Sequence, residues 1–476
     1  MLSTKQAAEY LDVSEARIRQ LIANGQIAAE KCGRAWEVDQ ASLDRYAAQA
    51  KNGRPSRMES QARRYASPRK FTLMSRNYEV ARCVYDPIQL TFTQVELIDW
   101  QRAPLALVGY QAVHNLRRAF NAWWGNRAIP ESRTFLSQRL LELDLKAPSQ
   151  IPLASLGLSL SDQYWLLEDS SDLTWEDITY FRNRFDLGPL DAQGRPVSSS
   201  SIWMNAVGLN SPDNTTDGML DKRWIVEDGR PCLIKGNGVG GREVYNEVVA
   251  TMLHRRLLPA HRFVEYRLAQ WRGRDVCACP SFLSEEEDFI PAWYVVNLRK
   301  RRNEISEYRH YCQMAESLGV AGAGNQLDRM LVCDSILANT DRHWGNFGII
   351  RNVETQECRY APIFDTGSSL WCHLSNRDVG RGVYAFQTKP FYSDPGRQLD
   401  LVCDETWYRP ELLEGFPEQV EAFLAEALRA QALAADISRG LQARIEVVNG
   451  WAAKAATRGL PDTYRQATES ITWVWL

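Results

Sequence analysis

The 476-residue chain lacks the features that would place it in several large classes. No apolar run approaches the ~18 residues that a membrane-crossing helix needs, so no span is expected. The first residues carry no apolar h-region, so no secretory signal is expected. Ten cysteines are present, but none are paired at zinc-site spacing. Cys277-Ala278-Cys279 lies in an apolar run and reads as strand rather than zinc knuckle. Unpatterned thiols in this number suit the reducing cytosol, so a cytoplasmic location is expected, at the nucleoid if the chain binds DNA. The net charge is only −3, which excludes global attraction to nucleic acid and leaves only local binding. Internal repeats and long low-complexity tracts are absent too. What remains is an ordinary globular composition, 45% hydrophobic and 24% charged, with room for about two to four domains.

Residues 1–50 read as a separate module. Ser3 and Gln6 form a capping box for a helix through Leu11. Asp12-Val13-Ser14 is a turn, and Ser14 caps a second helix with Ile18, Leu21 and Ile22 on one face. Asn24-Gly25 ends it, Ile27–Val38 reads as a hairpin, and Ser42–Gln49 as a last short helix. Helix, turn, helix and two-stranded wing is a DNA-binding arrangement. It resembles the excisionase and MerR-type winged helix-turn-helix. That resemblance implies base contacts from Arg17, Arg19 and Gln20, and phosphate contacts from Lys31 and Arg34.

Residues 51–72 read as a basic linker. Lys51, Arg54, Arg57, Arg63, Arg64, Arg69 and Lys70 face a single acid, Glu59, and apolar residues are sparse. The run either adds phosphate contacts or serves as a soluble tether. Residues 73–205 mix short strands such as Glu79–Tyr85 with helices over Leu116–Trp124 and Phe135–Leu143. Trp123, Trp124, Trp165, Trp175 and Trp203 supply apolar anchors. Residues 206–285 read as a strand-rich lobe. Strands flank Asp228-Gly229, a helix covers Glu243–Leu257, and further strands cover Phe263–Leu268 and Asp275–Cys279. Residues 286–476 read as mostly helical, including a helix capped by Asn325 and running through Leu337. The fold class expected is therefore α+β, two-lobed, with a small N-terminal winged helix-turn-helix domain.

The densest signal is Asn339-Thr340-Asp341-Arg342-His343-Trp344-Gly345-Asn346, followed by Ile363-Phe364-Asp365-Thr366-Gly367. Phosphoryl transfer from ATP asks for one carboxylate to orient a hydroxyl, and an amide with a second carboxylate to hold Mg²⁺. Asp341 fits the first role, and Asn346 and Asp365 fit the second. His343 belongs to the same catalytic loop, where bracing is expected rather than direct chemistry. Lys235 closes an apolar strand, and Glu247 lies one turn into the next helix. A nucleotide-binding lysine and its carboxylate partner come in that order, with Glu243 as the competing partner. Gly236–Gly241 follows the lysine strand, so it reads as a connection rather than a phosphate-covering loop. The segment Ser211–Gly218 precedes that strand and leads into Lys222. Ser211, Gly218 and Lys222 are therefore expected near the nucleotide.

The stretches Gly218–Lys222, Leu233–Lys235, Glu243–Glu247, Asn339–Asn346 and Pro362–Leu370 resemble the HipA-type serine/threonine kinases. Gly157–Trp165 is similar to a branch of the same proteins, and the likeness covers most of residues 75–450. It implies a two-lobed kinase using ATP and Mg²⁺, a protein substrate, and a toxin role restrained by an antitoxin-like DNA-binding partner. It also implies autophosphorylation in the phosphate loop, where Ser211, Thr215 and Thr216 are the choices. A DNA-binding module fused to the kinase departs from the two-gene arrangement of that family. A homodimer is expected if the operator is palindromic. Two alternatives stand: a transcriptional regulator whose kinase-like part only senses nucleotide, and a lipid kinase. Asp-Arg-His-x-x-Asn with Asp-x-Gly is also similar to the phosphatidylinositol kinases. No basic amphipathic helix is present to hold a membrane surface.

Overall fold

Ser3 opens the first helix through a reciprocal cap. Its Oγ accepts from the Gln6 backbone N–H at 3.3 Å, and Gln6 Oε1 accepts from the Ser3 N–H at 3.0 Å. In this computed structural model, residues 2–11, 14–23, 27–32, 35–44, 46, 67–127, 150–183, 185, 222–238 and 240–458 are described. They form two compact units, Met1–Pro68 with Pro87–Gln89, and Arg69–Asp86 with Leu90–Leu476. The helix expected over Phe135–Leu143, the segment Ser211–Gly218, Trp203 and most of the basic linker lie outside the described residues.

In the N-terminal unit, α1 (Thr4–Leu11) and α2 (Glu15–Ala23) close over Ala7, Ala8, Ile18, Leu21, Ile27, Val38 and Leu43. The wing is β2 (Ala29–Cys32) against β3 (Ala35–Val38). A two-residue strand, β1 (Leu2–Ser3), pairs with the other edge of β3, giving the order β1-β3-β2. The last helical residues start at 40, two before the expected Ser42. Asp39 sets that start, because its Oδ2 accepts from the Ser42 N–H at 2.8 Å.

The larger unit begins with β4 (Arg69–Ser75), inside the stretch expected as linker. Its polar first residues are exposed at a strand end, where Arg69 pairs with Glu168 at 2.8 Å. β5 (Tyr78–Asp86), β6 (Thr91–Leu97) and β7 (Tyr164–Glu168) complete an antiparallel sheet in the order β6-β5-β4-β7. α3 (Leu116–Gly125) packs Phe120, Trp123 and Trp124 onto it, and Phe92 meets Phe120 edge-on at 4.8 Å. Gln163 donates its N–H to Asp288 at 2.8 Å and Arg351 reaches the same carboxylate at 3.2 Å, tying this layer to the sheet that holds residues 287–291 and 348–352.

β8 (Lys222–Glu227), β9 (Arg230–Lys235), β10 (Arg267–Trp271) and β11 (Arg274–Pro280) form a second antiparallel sheet, ordered β10-β11-β9-β8. Both of its tight hairpins have positive φ at the two central residues, Asp228 and Gly229 at 49° and 74°, Arg272 and Gly273 at 52° and 76°. Such turns match strand twist and favour Asp-Gly. Alternation along β9 places Cys232 and Ile234 in one apolar cluster and leaves Lys235 on the opposite face, toward α4 (Glu243–Leu257). The strand expected over Phe263–Leu268 is displaced to β10. Phe263, Val264 and Tyr266 are all buried, so the segment lacks strand alternation; it makes a single parallel bridge to Ile363 instead.

β12 (Glu287–Pro291), β13 (Gly348–Asn352) and β14 (Cys358–Tyr360) make a third sheet, whose middle strand begins two residues after Asn346. α5 (Ala323–Leu337) is buried along nearly its whole length. It starts at Gly322, whose φ of 68° suits glycine, and not at Asn325, which lies inside the helix. α6 (Phe416–Leu428) and α7 (Gln431–Arg458) close the core around Leu331, Ile336, Trp371, Phe416 and Leu441. Among the described residues no helix is long and apolar enough to cross a membrane.

Candidate functional site

Lys235 is the centre of the site. It is 3% exposed, and its Nζ lies 2.8 Å from Glu247 Oε1 and 2.8 Å from Asp365 Oδ1. Tyr266 also accepts from it, at 3.1 Å. Glu247 Oε2 in turn accepts from the Thr366 N–H at 2.9 Å, so α4 and the Asp-x-Gly segment meet at this carboxylate. Lys222 Nζ lies 3.8 Å from the other oxygen of Asp365. Desolvation works against the Lys235 charge, but Asp365 and Glu247 overcome it and push its pKa well above the ordinary value. Desolvation likewise opposes charge on Asp365, yet Lys235 and then Lys222 hold its carboxyl well below the usual carboxylate range. Burial pushes Glu247 up.

Glu243, the competing partner, has a different task. Its carboxylate accepts from the backbone N–H groups of Gly238, Gly240 and Arg242 at 3.0–3.2 Å. It thereby staples the glycine run to the start of α4. A Cβ on Gly240 would lie 2.6 Å from the Cys372 carbonyl oxygen, so glycine is required by a close backbone approach there.

The Asn339–Asn346 loop is organised by Arg342, which sequence reasoning assigned no role. Its guanidinium is fully buried and grips Asp334 of α5 at 2.8 and 3.0 Å. It also donates to the Asn346 carbonyl at 2.7 Å, to Thr366 Oγ1 at 3.0 Å and to the Phe364 carbonyl. One side chain thus fixes Asn346 and the Asp-x-Gly segment together. Asn346 donates its amide nitrogen to the Asp341 carbonyl at 2.9 Å, which leaves Oδ1 as its acceptor. His343 Nδ1 accepts from the Gly345 N–H at 3.0 Å, a bracing contact within the loop. Asp341 is half-exposed. Its N–H donates to Asn339 Oδ1 at 3.0 Å, and its Oδ1 lies 2.8 Å from Lys389 Nζ. Asp365 itself has a φ of 54°, left-handed backbone for a non-glycine residue.

Behind the site, His254 of α4 is buried against Phe263 and its Nε2 has no hydrogen-bond partner among the described residues. Burial, reinforced by Arg342, pushes its pKa down to about 3.

Of the expected nucleotide and metal residues, the structure brings Lys222, Lys235, Glu247 and Asp365 together and joins the Asn346 loop to them through Arg342. Ser211 and Gly218 lie outside the described residues. In the N-terminal unit, Arg19 is exposed on α2 and pairs with Glu15 at 3.4 Å. Lys31 is exposed on the wing, 5.9 Å from the Trp36 ring. Arg17 and Gln20 fall within α2, with their side chains outside the described set, as is Arg34.

Residues 1–51 match a family model described as helix-turn-helix domain. A curated relative, the serine/threonine-protein kinase CtkA of Helicobacter pylori strain J99, is 50% identical over 81 residues. That match takes in 15% of this chain and only a quarter of the relative's length. Two solved structures are also similar. The crystal structure of a Helicobacter pylori proinflammatory kinase CtkA is 16% identical, with a TM-score of 0.41, over 52% of this chain and 96% of that one. The Shewanella oneidensis MR-1 toxin–antitoxin complex of HipA, HipB and operator DNA is 12% identical, with a TM-score of 0.49, over 82% of this chain and 100% of that one. The chain thus joins a helix-turn-helix domain at its N-terminus to an α+β body, and over 81 residues it is closely similar to a serine/threonine kinase.

Proposed function

We propose that the larger unit is an ATP-dependent serine/threonine kinase of HipA type acting on a protein. The observation that carries this reading is the buried Lys235 ammonium held at 2.8 Å by both Glu247 and Asp365. A cation aimed at nucleotide phosphates, fixed by a helix carboxylate and next to an Asp-x-Gly aspartate, is the arrangement phosphoryl transfer requires. The short stretch of similarity to a serine/threonine kinase supports it. On this reading residues 206–285 and 286–476 are the two lobes, with 73–205 as an extension.

In the reaction, the substrate hydroxyl oxygen bonds to the γ-phosphorus of ATP. The bond from that phosphorus to the bridging oxygen breaks, and its electron pair leaves with ADP. The hydroxyl proton passes to the Asp341 carboxylate. Lys235 and Lys222 would neutralise phosphate oxygens. The oxygens of Asn346 and Asp365 suit Mg²⁺, a hard cation that keeps several waters, and the ion supplies further charge neutralisation when bound. His343 braces the loop that presents Asp341.

Residues 1–51 are the DNA-binding arm in this proposal, with Arg19 and Lys31 as exposed basic contacts on α2 and the wing. That arm would govern where or when the kinase acts, consistent with a toxin or regulatory role. The deciding experiment incubates the purified chain with Mg-ATP and cell lysate and maps new phosphosites by mass spectrometry. Sites produced by the parent and absent with Asp341→Asn are expected. Equal phosphorylation by the mutant would remove Asp341 from the chemistry, and no phosphorylation by the parent would leave a nucleotide-sensing regulator instead.

A further inference from the structure

A basic residue far along the chain completes the Asp341 site. Lys389 Nζ lies 2.8 Å from Asp341 Oδ1, across 48 residues of sequence. The pair is half-exposed on both sides, at 52% and 41%. An ion pair this open contributes almost nothing to folding stability. Its surroundings, however, are built to hold it.

The segment 388–393 is a closed loop. Thr388 donates its N–H to the Ser393 carbonyl at 3.0 Å and its hydroxyl to the Tyr392 carbonyl at 2.7 Å. Gln398, buried in the short helix Pro395–Leu399, accepts from the Tyr392 N–H at 2.9 Å and donates to the Lys389 carbonyl itself. Thr388 and Gln398 are 6% and 3% exposed, so the frame of the loop is fixed although Lys389 reaches into solvent. Phe391 then docks the loop on the catalytic loop. Its ring meets Trp344 edge-on at 5.3 Å and Tyr308 at 5.5 Å. Lys389 is therefore presented to Asp341 by a rigid frame anchored two residues on, against a ring three residues past Asp341.

We propose that Lys389 is a positioning residue for phosphoryl transfer. It fixes Asp341 through Oδ1 and leaves Oδ2 to take the proton of the attacking hydroxyl. This rests on the kinase reading above. Holding a catalytic carboxylate in one orientation acts on the chemical step more than on nucleotide binding.

The test measures transfer of the radiolabelled γ-phosphate of Mg-ATP to the chain itself and to dephosphorylated casein, with parent, Lys389→Met, Lys389→Arg and Asp341→Asn proteins. Lys389→Met is expected to lower kcat by about 10- to 100-fold, to leave KM for ATP within about twofold, and to melt with the parent. Lys389→Arg is expected to recover most of the loss. A parent-like kcat in Lys389→Met, a loss carried by KM alone, or no recovery with arginine overturns the proposal. If the parent transfers no phosphate, the kinase reading falls and this inference falls with it. If the parent transfers and Asp341→Asn does not, while Lys389→Met equals the parent, only the role of Lys389 falls.

Discussion

Lys235 and Asp365 are joined by a 2.8 Å ion pair across 130 residues of sequence, between the end of one strand and a left-handed turn of another segment. The same ammonium satisfies Glu247, which is 2% exposed. The three groups make a largely buried cluster with Asp365 at its exposed edge. Removing the shared cation takes away the common partner of both carboxylates, although Lys222 remains 3.8 Å from Asp365.

Lys235→Met is therefore expected to abolish ATP-dependent transfer and also to destabilise the unit, by about 3–5 kcal/mol, the usual cost of an orphaned buried charge. Adding Glu247→Gln to it should return a large part of that stability while activity stays lost. Urea midpoints of both single variants and the double variant check this as a cycle. Additive losses would show that Lys235 and Glu247 are not energetically coupled.

His254 gives the fold an acid sensitivity with a definite sign. Its folded-state pKa is lowered, to about 3 against an ordinary 6.5, so the unfolded chain binds the proton more readily between those values. Its contribution is fully present above the unfolded value and fades as pH falls toward the folded one, at up to ~1.4 kcal/mol per pH unit. Stability measured in urea should fall from pH 6 toward pH 4 less steeply in His254→Phe than in the parent. Identical slopes would mean the histidine takes its proton without unfolding.

Arg19 should act on DNA through charge. Arg19→Ala is expected to weaken binding of a labelled duplex and to reduce the salt dependence by about one counterion if it meets phosphate, or to relax sequence preference if it meets a base. Fluorescence anisotropy across a salt series separates the two. Because the Arg19–Glu15 pair is exposed, little folding stability is at stake. Unchanged affinity and slope would take Arg19 out of the interface.

The parts of this chain that could be read in advance are those fixed by neighbours in sequence. The Ser3–Gln6 cap, the Asp228-Gly229 hairpin and the Glu243–Leu257 helix depend on residues a few positions apart, and each is found where the residue pattern puts it. Lys235, Glu247 and Asp365 could be named because their order along the chain carries chemistry, and the fold does bring them together. Contacts that depend on the tertiary fold were not legible. Lys389 follows no spacing rule relative to Asp341, and Arg342 looks like any polar loop residue until five acceptors converge on it. Phe263–Tyr266 has a strand-like composition, but burial of three of its four side chains overrides the two-residue period.

The Arg342 guanidinium has a mechanical consequence. It bonds at once to the Asp334 carboxylate on α5, the Asn346 carbonyl, and Phe364 and Thr366 beside Asp365. Neither segment can leave its place without stripping bonds from a buried cation, so the two expected Mg²⁺ ligands cannot loosen one at a time. They form a single cooperative unit, and the amides flanking Asn346 and Asp365 should exchange with solvent in one shared opening event.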